Sequence, residues 1–409
     1  MGRRLAAAIL TGLVLTGAGV HGQVATPPQP DPTDPLQATD GLSGPAGPRI
    51  LRLTTPAPGI VAMRLSVPIT EVPIEAGTAQ VLAILARARL KGLVAPLGVD
   101  ADVQRTPWGL AYTVAGPDTD FDYLAFVLRE VTSLPELSRA EEAKTLLRRE
   151  MIRLQETGRG RVELGLRQVT AGALPSISGT PETIEAMSAG TVRDVWARSH
   201  RRDRMTLMVS GEVSDELLLA SFDRLGSTDP LLESASGVPV PTGPRPERLD
   251  LLRTSAGSAW EASEPLSPEA VVAAAMLTES MRQSAAPFEA RVSLWESNGH
   301  TTLALIGAAF PGDLRALRSW LDQGLGRLAG ELSDASVTQM ARTLRGEVLF
   351  GARTPFGQVQ LVGRFVDAGL PRSAARDYLN RLSALDAVGM RSFLEALGRT
   401  TPARLEVTR

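Results

Sequence analysis

The amino-acid sequence predicts an α+β fold made of two duplicated domains, each a mostly antiparallel sheet packed with helices. Predicted strands come in neighbouring pairs and predicted helices in runs, which favours antiparallel sheets. Segments of the first half also recur in order in the second: "ELSRAEEAKTLLRREMI" from Glu136 resembles "ELSDASVTQMARTLRGEVL" from Glu331, and "LMVSG" from Leu207 resembles "LEVTR" from Leu405. These matches indicate a domain duplication, with chance similarity between amphipathic helices as the alternative.

The N-terminal segment carries two arginines and then an apolar run over residues 5–20. This run is too short and too rich in Gly, Ala and Thr for a good membrane span. It predicts a signal peptide over residues 1–22, cleaved after Gly22, with an uncleaved anchor as the alternative. Residues 23–48 are rich in Pro, Gly, Asp and Thr and are expected to be a flexible leader. We therefore expect a periplasmic or secreted bacterial protein with no transmembrane span after signal cleavage.

The first domain is predicted to cover residues 49–233. Short β-rich runs predict strands, and patterns of helical period predict helices. The expected order is strands 50–55 and 60–68, helix 77–89, a hairpin over 100–116, helices 121–134, 138–156, 161–171 and 191–200, strand 204–211 and helix 214–225.

A Pro- and Gly-rich linker over residues 234–249 is predicted to separate this domain from a second domain over residues 250–409. The expected order there is helix 267–283, strands 289–297 and 301–310, helices 312–330, 333–350, 358–369 and 376–385, and strand 403–409. The second domain therefore repeats the strand and helix runs of the first.

Composition limits the possible chemistry. The 409 residues are 43% hydrophobic and 22% charged with net charge -2, and no clustered basic footprint indicates nucleic-acid binding. The absence of cysteine excludes disulfides, Cys-ligated zinc and a Cys nucleophile. The three histidines are His21, His200 and His300. His200 is expected to be a cation at a charged helix end and His300 to lie in a hairpin turn, so no Ser-His-Asp set is formed.

The segment "EAGTAQVLAILARARLKG" predicts a buried helix with a basic C-terminal end. Thr78 is expected to cap its N-terminus and Gly92 to end it. This Gly-Thr-Ala helix start follows two early strands, a Glu-bearing helix comes later, and "SAGTVRDVWARSHRRDRMTLMVSGEV" closes the first domain. In these features the chain resembles the insulinase/pitrilysin family of zinc metallopeptidases, including the mitochondrial processing peptidase subunits. The resemblance spans residues 50–409 and implies a LuxS/processing-peptidase-like fold.

Family members carry H-x-x-E-H on this helix, because two His at i and i+4 share one helix face and can bind one zinc ion. The Glu between them is the general base, and a distal Glu completes the ligands. In this sequence the three motif positions are Gln80, which is a poor zinc ligand, and Ala83 and Ile84, which offer no donor at all. The resemblance therefore implies a degenerate homologue that is not an enzyme and has no cofactor, with zinc expected only in a partner subunit.

Three more residues stand at positions that the resemblance makes functional. Glu150 fits the distal ligand, either as a relic or as a Glu paired with Arg87 or Arg149. It interrupts an apolar stripe of Ala143, Leu146, Leu147, Met151 and Leu154. Arg282 fits an Arg that grips the substrate carbonyl, or it is a surface Arg at a helix end. The accompanying Tyr position falls near Phe288 or Glu289, and Phe lacks the hydroxyl donor.

The resemblance implies the inactive subunit that completes the chamber of a zinc protease heterodimer and helps to bind peptide substrate, with strand addition at a sheet edge as the expected mode of binding. The expected partners are a homologous H-x-x-E-H-bearing subunit and peptides or unfolded proteins, with no nucleic acid. The alternative from another class is a non-proteolytic periplasmic scaffold or peptide-binding clamp. A third possibility is an enzyme with a relocated site.

Overall fold

A computed structural model describes residues 38–43, 47–55, 57–94, 99–170, 179–223, 225–226, 252–284, 286–297 and 299–408. The predicted signal peptide over 1–22, residues 23–37 of the predicted leader and the predicted linker over 234–249 lie outside the described residues.

A six-stranded sheet forms the centre of the first domain, in the order β1-β2-β6-β3-β5-β4. Its strands are β1 (Ala38–Ser43), β2 (Arg49–Leu53), β3 (Ile60–Pro68), β4 (Asp100–Thr106), β5 (Gly109–Pro117) and β6 (Thr206–Ser210). Neighbouring strands are antiparallel except β2 and β6, which are parallel. The prediction of a coreless leader is wrong for residues 38–43, because their main chain adds β1 to the edge of the sheet beside β2.

A second, four-stranded sheet has the order β10-β7-β9-β8 and is antiparallel throughout. Its strands are β7 (Thr254–Glu261), β8 (Glu289–Ser297), β9 (His300–Ala309) and β10 (Ala403–Val407). The order repeats the run β6-β3-β5-β4 of the first sheet position by position. This repetition confirms the α+β fold of two duplicated domains.

Helices follow the strands in the same sequence in both halves. In the first half they are α1 (Thr78–Val94), α2 (Phe121–Thr132), α3 (Ala140–Gln155), α4 (Gly158–Thr170), α5 (Pro181–Ala186), α6 (Ala189–Ser199) and α7 (Asp215–Phe222). In the second they are α8 (Pro268–Gln283), α9 (Leu314–Glu331), α10 (Asp334–Gly351), α11 (Pro355–Asp367), α12 (Ala374–Ala384) and α13 (Ala387–Arg399). None of the described helices is long and apolar enough to span a membrane.

The two halves exchange one helix each. Helix α4 belongs to the first half in sequence, but it packs on β7, β9 and β10 of the second sheet. Helix α11 belongs to the second half and packs on β3, β5 and β6 of the first sheet. The apolar side chains of α4, Val162 and Leu166, accordingly share a buried cluster with Ala304 and Ile306 of β9. Each sheet therefore needs the other half of the chain to cover one of its faces.

Polar contacts across this interface are buried as well. Arg64 of β3 forms an ion pair with Asp367 of α11 over 2.6 Å, and the two side chains are 0% and 4% exposed. Gln358 of α11 is fully buried and accepts a hydrogen bond from Ser210 of β6 over 2.6 Å. Because buried polar groups must be hydrogen-bonded, these pairs hold α11 in one position on the first sheet.

Candidate functional site

The N-terminus of α1 is stabilised differently from the sequence prediction. Gly77, at φ 93°, precedes the helix, and the Thr78 hydroxyl donates to the main-chain oxygen of Glu75 over 2.6 Å. The cap is supplied by Glu71, whose carboxylate accepts from the Ala79 N–H over 2.7 Å. Burial raises the pKa of Glu71, while this hydrogen bond and the charge of Arg105, 3.4 Å away, oppose the shift. The prediction of Thr78 as the capping residue is therefore wrong.

The three motif positions all lie on α1 within the first domain. Ala83 is fully buried in the domain core, whereas Gln80 and Ile84 are half-buried. Their side chains offer one amide and two hydrocarbon groups. The helix also continues past Gly92 to Val94, so Gly92 does not end it as predicted.

Arg87, one turn after Ile84, contacts the edge strand of the first sheet. Its Nε donates to the main-chain oxygen of Val103 on β4 over 2.6 Å. Strands β4 and β5 are joined by a two-residue turn, so the N–H and C=O of Val103 point away from β5, toward the free edge. Val103 is nevertheless 0% exposed. Helix α1 therefore covers this edge at its middle, beside the motif positions.

Glu150 lies on α3, which packs against α1. The prediction that Glu150 interrupts a core-facing stripe is wrong: Ala143, Leu147 and Met151 are buried, but Leu146 and Leu154 are 47% and 42% exposed. Glu150 itself is exposed and lies on the outer side of the helix. Arg87, one of its suggested partners, is bonded to Val103 instead.

The side chains at the motif positions and at Glu150 can be compared with the ligands that a zinc ion requires. Three protein ligands from His, Cys, Asp or Glu are usual at a catalytic zinc site. Among the described residues, no group of three or more such side chains could hold a metal ion. Gln80, Ala83, Ile84 and Glu150 provide one carboxylate and one amide, so this set does not fit zinc.

A groove of about 870 Å³ lies in the second domain, and both residues predicted to bind substrate line it. Arg282 is exposed at the C-terminal end of α8, 3.6 Å from the Glu279 carboxylate. Phe288 is half-buried, and its ring centroid is 5.7 Å from that of Trp320 on α9. The other residues that line the groove come from α4, α8, β8, α9 and the segment before β8. They are Glu163, Arg167, Leu277, Thr278, Ser280, Met281, Ser284, Ala286, Ala290, Arg291, Val292, Ser293, Leu294, Gly324, Arg327, Leu328 and Glu331.

One wall of this groove, hereafter the β8 groove, is the free edge of β8. Ser297 of β8 pairs with His300 of β9, and the Ala262 N–H donates to the main-chain oxygen of Thr301, on the β7 side of β9, over 2.8 Å. Hydrogen-bonded and non-hydrogen-bonded pairs therefore alternate along β8 and β9, beginning with a hydrogen-bonded pair at Ser297. As a result, the N–H and C=O groups of Ala290, Val292 and Leu294 face the groove. No hydrogen bond from another described residue reaches these groups.

His200 differs from its predicted role as an exposed cation. It is 0% exposed, and its Nε2 is 2.7 Å from the Tyr112 hydroxyl. Its ring stacks on Trp196, with centroids 5.4 Å apart. Burial lowers the pKa of His200 to about 3, so the imidazole is neutral. This residue is a hydrogen-bonded part of the core.

Comparison with solved structures identifies the fold. A protease from Helicobacter pylori superposes with a TM-score of 0.73 at 13% identity, matching 91% of this chain and 99% of that one. A peptidase M16 inactive domain from Pseudomonas fluorescens superposes with a TM-score of 0.69 at 11% identity, matching 91% and 97%. This chain has the M16 peptidase fold. That result confirms the insulinase/pitrilysin-like architecture expected from the sequence.

Another match is a chain of a larger assembly. A chain of complex III2 from Candida albicans superposes with a TM-score of 0.64 at 14% identity, matching 91% of this chain and 96% of that one. No protein-family model and no curated protein sequence matches this chain. At these identities the similarity establishes the fold alone.

Several residues of the β8 groove were not singled out from the sequence. Arg167 of α4 and Arg291 of β8 are more than a hundred residues apart, and only the exchange of α4 brings them together. Trp320 likewise comes from α9. The alternation of residues 289–297 predicted a strand, but nothing in that pattern indicated that β8 would be the last strand of its sheet.

Proposed function

We propose that this chain is a non-catalytic M16 peptidase homologue that binds extended peptide segments along β8. The observation that carries the proposal is the row of main-chain groups of Ala290, Val292 and Leu294 along an open groove, which have no partner among the described residues. An extended peptide laid there would become the next strand of the sheet, bound through its own main chain. The five groove-lining residues 290–294 correspond to about 17 Å of strand.

Strands β4 and β8 are the corresponding edges of the two sheets, and comparison of these two favours β8. At β4, the Val103 oxygen already accepts from Arg87 and the residue is 0% exposed. The outward-facing residues of the two edges are otherwise similarly buried: Ala290 and Leu294 of β8 are half-buried, as are their counterparts on β4, and Val292 is 9% exposed. No side chain of another described residue is bonded to the main chain of β8 as Arg87 is to that of β4. A peptide at β4 would have to displace a charged side chain, so β8 is the more accessible edge.

The residues at the motif positions support a role without catalysis. Peptide hydrolysis by a zinc site needs a metal-bound water and a general base. Ala83 and Ile84 have no acid, base or ligand atom in their side chains, and Gln80 is a weak ligand. We therefore propose that this chain supplies part of a binding chamber, and that a homologous H-x-x-E-H-bearing subunit supplies zinc, ligands and base in a periplasmic or secreted heterodimer.

A non-proteolytic scaffold or peptide-binding clamp remains the second candidate. The observation that favours it is the similarity to a chain of complex III2. The name of that assembly, unlike those of the other two matches, does not describe a protease. Peptide binding along β8 is common to both candidates. Co-purification from the native host separates them: a zinc-bearing homologue in the complex supports the heterodimer, and its absence supports the clamp.

Ala290→Pro tests the binding edge directly. Proline lacks the N–H that faces the groove, while the ladder between β8 and β9 loses no bond because the Ala290 N–H is not part of it. Ala290→Ser keeps the N–H and is the matched control. We expect fluorescently labelled unfolded peptides to bind the wild type and Ala290→Ser equally. They should bind Ala290→Pro at least about tenfold more weakly, because one hydrogen bond to the edge and the close approach of the peptide strand are both lost. Equal binding by all three proteins would refute the proposed edge.

A second measurement tests the absence of catalysis. Purified chain, supplied with zinc, should not hydrolyse peptides that it binds. Hydrolysis that a chelator abolishes would refute the non-catalytic assignment and would favour a relocated site.

A further inference from the structure

The β8 groove has two chemically different sides. Side chains alternate across a strand. Val292 and Leu294 face α8 and α9, where they pack in one apolar cluster with Phe288 and Trp320. Arg291 and Trp295 face the opposite side, toward α4. A peptide strand added to β8 would alternate in the same way, so successive side chains would meet an apolar side and a charged side.

Among the described residues, the charged side has more cations than anions. Arg167 of α4 and Arg291 of β8 share a single carboxylate, that of Glu163. The Arg167 Nη2 atom is 2.9 Å from Glu163 Oε1, and its guanidinium lies 4.7 Å from the centroid of the Trp295 ring. Burial lowers the pKa of Arg167 to about 10 and also lowers that of Arg291. Two partly desolvated guanidinium groups with one carboxylate leave an unbalanced positive charge beside the open edge.

The same imbalance continues along this face beyond the groove. Arg159 of α4 and Arg253, just before β7, share the carboxylate of Glu289, the first residue of β8. Four guanidinium groups therefore share two carboxylates along the side of β8 that faces α4. A negatively charged ligand would therefore be attracted along the whole length of β8.

The apolar side is built from aromatic and flexible side chains. Phe288 and Trp320 form its centre, with Leu277 and Met281 of α8 and Leu328 of α9 around them. Aromatic rings and methionine adapt to different hydrocarbon side chains and make large contact areas. This side therefore favours apolar residues without selecting a single one.

On the basis of the proposed function, we propose that the β8 groove selects extended peptide segments in which acidic residues alternate with apolar residues. The acidic side chains face Arg167 and Arg291, and the apolar side chains face Phe288 and Trp320. The ligand class is thus an acidic, amphipathic β-strand.

Three labelled peptides of about nine residues test this selection: apolar residues alternate with Glu in the first, Gln in the second and Lys in the third. Binding to the full chain is measured by fluorescence anisotropy. We expect the Glu peptide to bind about tenfold more tightly than the Gln peptide, the Lys peptide to bind most weakly, and the difference between Glu and Gln to shrink at high salt.

Two variants with opposite expected effects separate selection from a folding defect. Arg291→Gln should clearly reduce the preference for Glu over Gln. Glu163→Gln removes the competing carboxylate and should increase that preference, which damage to the fold cannot do. Arg345→Gln, on the exposed side of α10, makes the same change in net charge as Arg291→Gln and should leave the preference at the wild-type value.

The outcomes distinguish this inference from the function on which it rests. Equal affinity for the Glu, Gln and Lys peptides, with loss of binding in Ala290→Pro, would overturn the charge selection and leave the proposed function standing. A preference for Glu that Arg291→Gln and Glu163→Gln do not change would also overturn it. Failure of all three peptides to bind would overturn both.

Discussion

Arg87 on α1 donates from Nε to the main-chain oxygen of Val103, the central residue of edge strand β4, over 2.6 Å. Unpaired edge strands tend to pair with other chains, and proteins cover or charge them to prevent this. Here the covering helix is the one that carries Gln80, Ala83 and Ile84. The edge beside these positions is thus closed by a side chain of the same helix, whereas the corresponding edge of the second sheet, β8, is open to a groove.

Replacing Arg87 by Ala is expected to destabilise the chain by about 1 kcal/mol, because one hydrogen bond from a charged donor is lost. It should also speed hydrogen exchange at the Val103 amide, whose N–H points toward the same edge. Lys91→Ala, on an exposed position of the same helix, is the control and should leave both quantities unchanged. Denaturant unfolding and hydrogen exchange measure them. An unchanged exchange rate at Val103 in Arg87→Ala would show that Arg87 does not protect the edge.

The free energy of unfolding should fall in mild acid because of His200. The folded chain keeps this imidazole neutral down to about pH 3, whereas the unfolded chain binds a proton near pH 6.5. The pKa is lower in the folded state, so the stabilising contribution is complete above pH 6.5 and is lost as pH falls toward 3. The expected slope within this window is about 1.4 kcal/mol per pH unit.

Denaturant unfolding from pH 8 to pH 5 tests this, with His200→Gln compared to the wild type. Other titrating groups contribute to both proteins, so the difference between their slopes isolates His200. We expect the wild type to lose stability faster below pH 6.5, and the two slopes to agree between pH 7.5 and pH 8. Parallel curves over the whole range would contradict a buried neutral His200.

Sequence patterns were most successful where a residue's environment follows from its neighbours in the chain. The hydrophobic face of α1, predicted to consist of Val81, Leu82, Ile84 and Leu85, is an example: three of the four are buried and Ile84 is half-buried. The duplication was also visible in sequence, because the same helix and strand patterns recur in the same order. These features are local or repeated, and a one-dimensional pattern contains both.

Features that depend on distant segments were missed. His200 lies in a run of charged residues, and its burial results from Tyr112, which comes from the middle of the first sheet. Glu71 caps α1 from seven residues before the helix, in place of the nearer Thr78. The pairing of Arg291 with Glu163 depends on the exchange of α4 into the second domain. No spacing or propensity in the sequence indicates which chain segment will approach from outside.

Breaking the ion pair between Arg64 and Asp367 should be costly. Both side chains are buried, so Asp367→Ala leaves a guanidinium without its carboxylate and is expected to lower the free energy of unfolding by about 3–5 kcal/mol. The double variant Arg64→Met, Asp367→Leu removes both charges and should recover most of this loss. Denaturant unfolding of these two variants, of Arg64→Met alone and of Asp367→Leu alone completes the double-mutant cycle. A loss below about 1 kcal/mol in Asp367→Ala would mean that the pair is not desolvated.

The exchange of α4 and α11 makes a prediction about the two halves of the chain. The second sheet packs Ala304 and Ile306 against α4, and the first sheet packs β3, β5 and β6 against α11. A half expressed alone would expose one face of its sheet and leave Arg64 or Gln358 without buried partners. We therefore expect residues 252–409 alone to lack a cooperative unfolding transition and to bind a hydrophobic dye. Co-expression of residues 38–226 with residues 252–409 supplies both exchanged helices and should restore the transition. Cooperative unfolding of the isolated second half would show that α4 is dispensable for its core, and the two predicted domains would then be independent folding units.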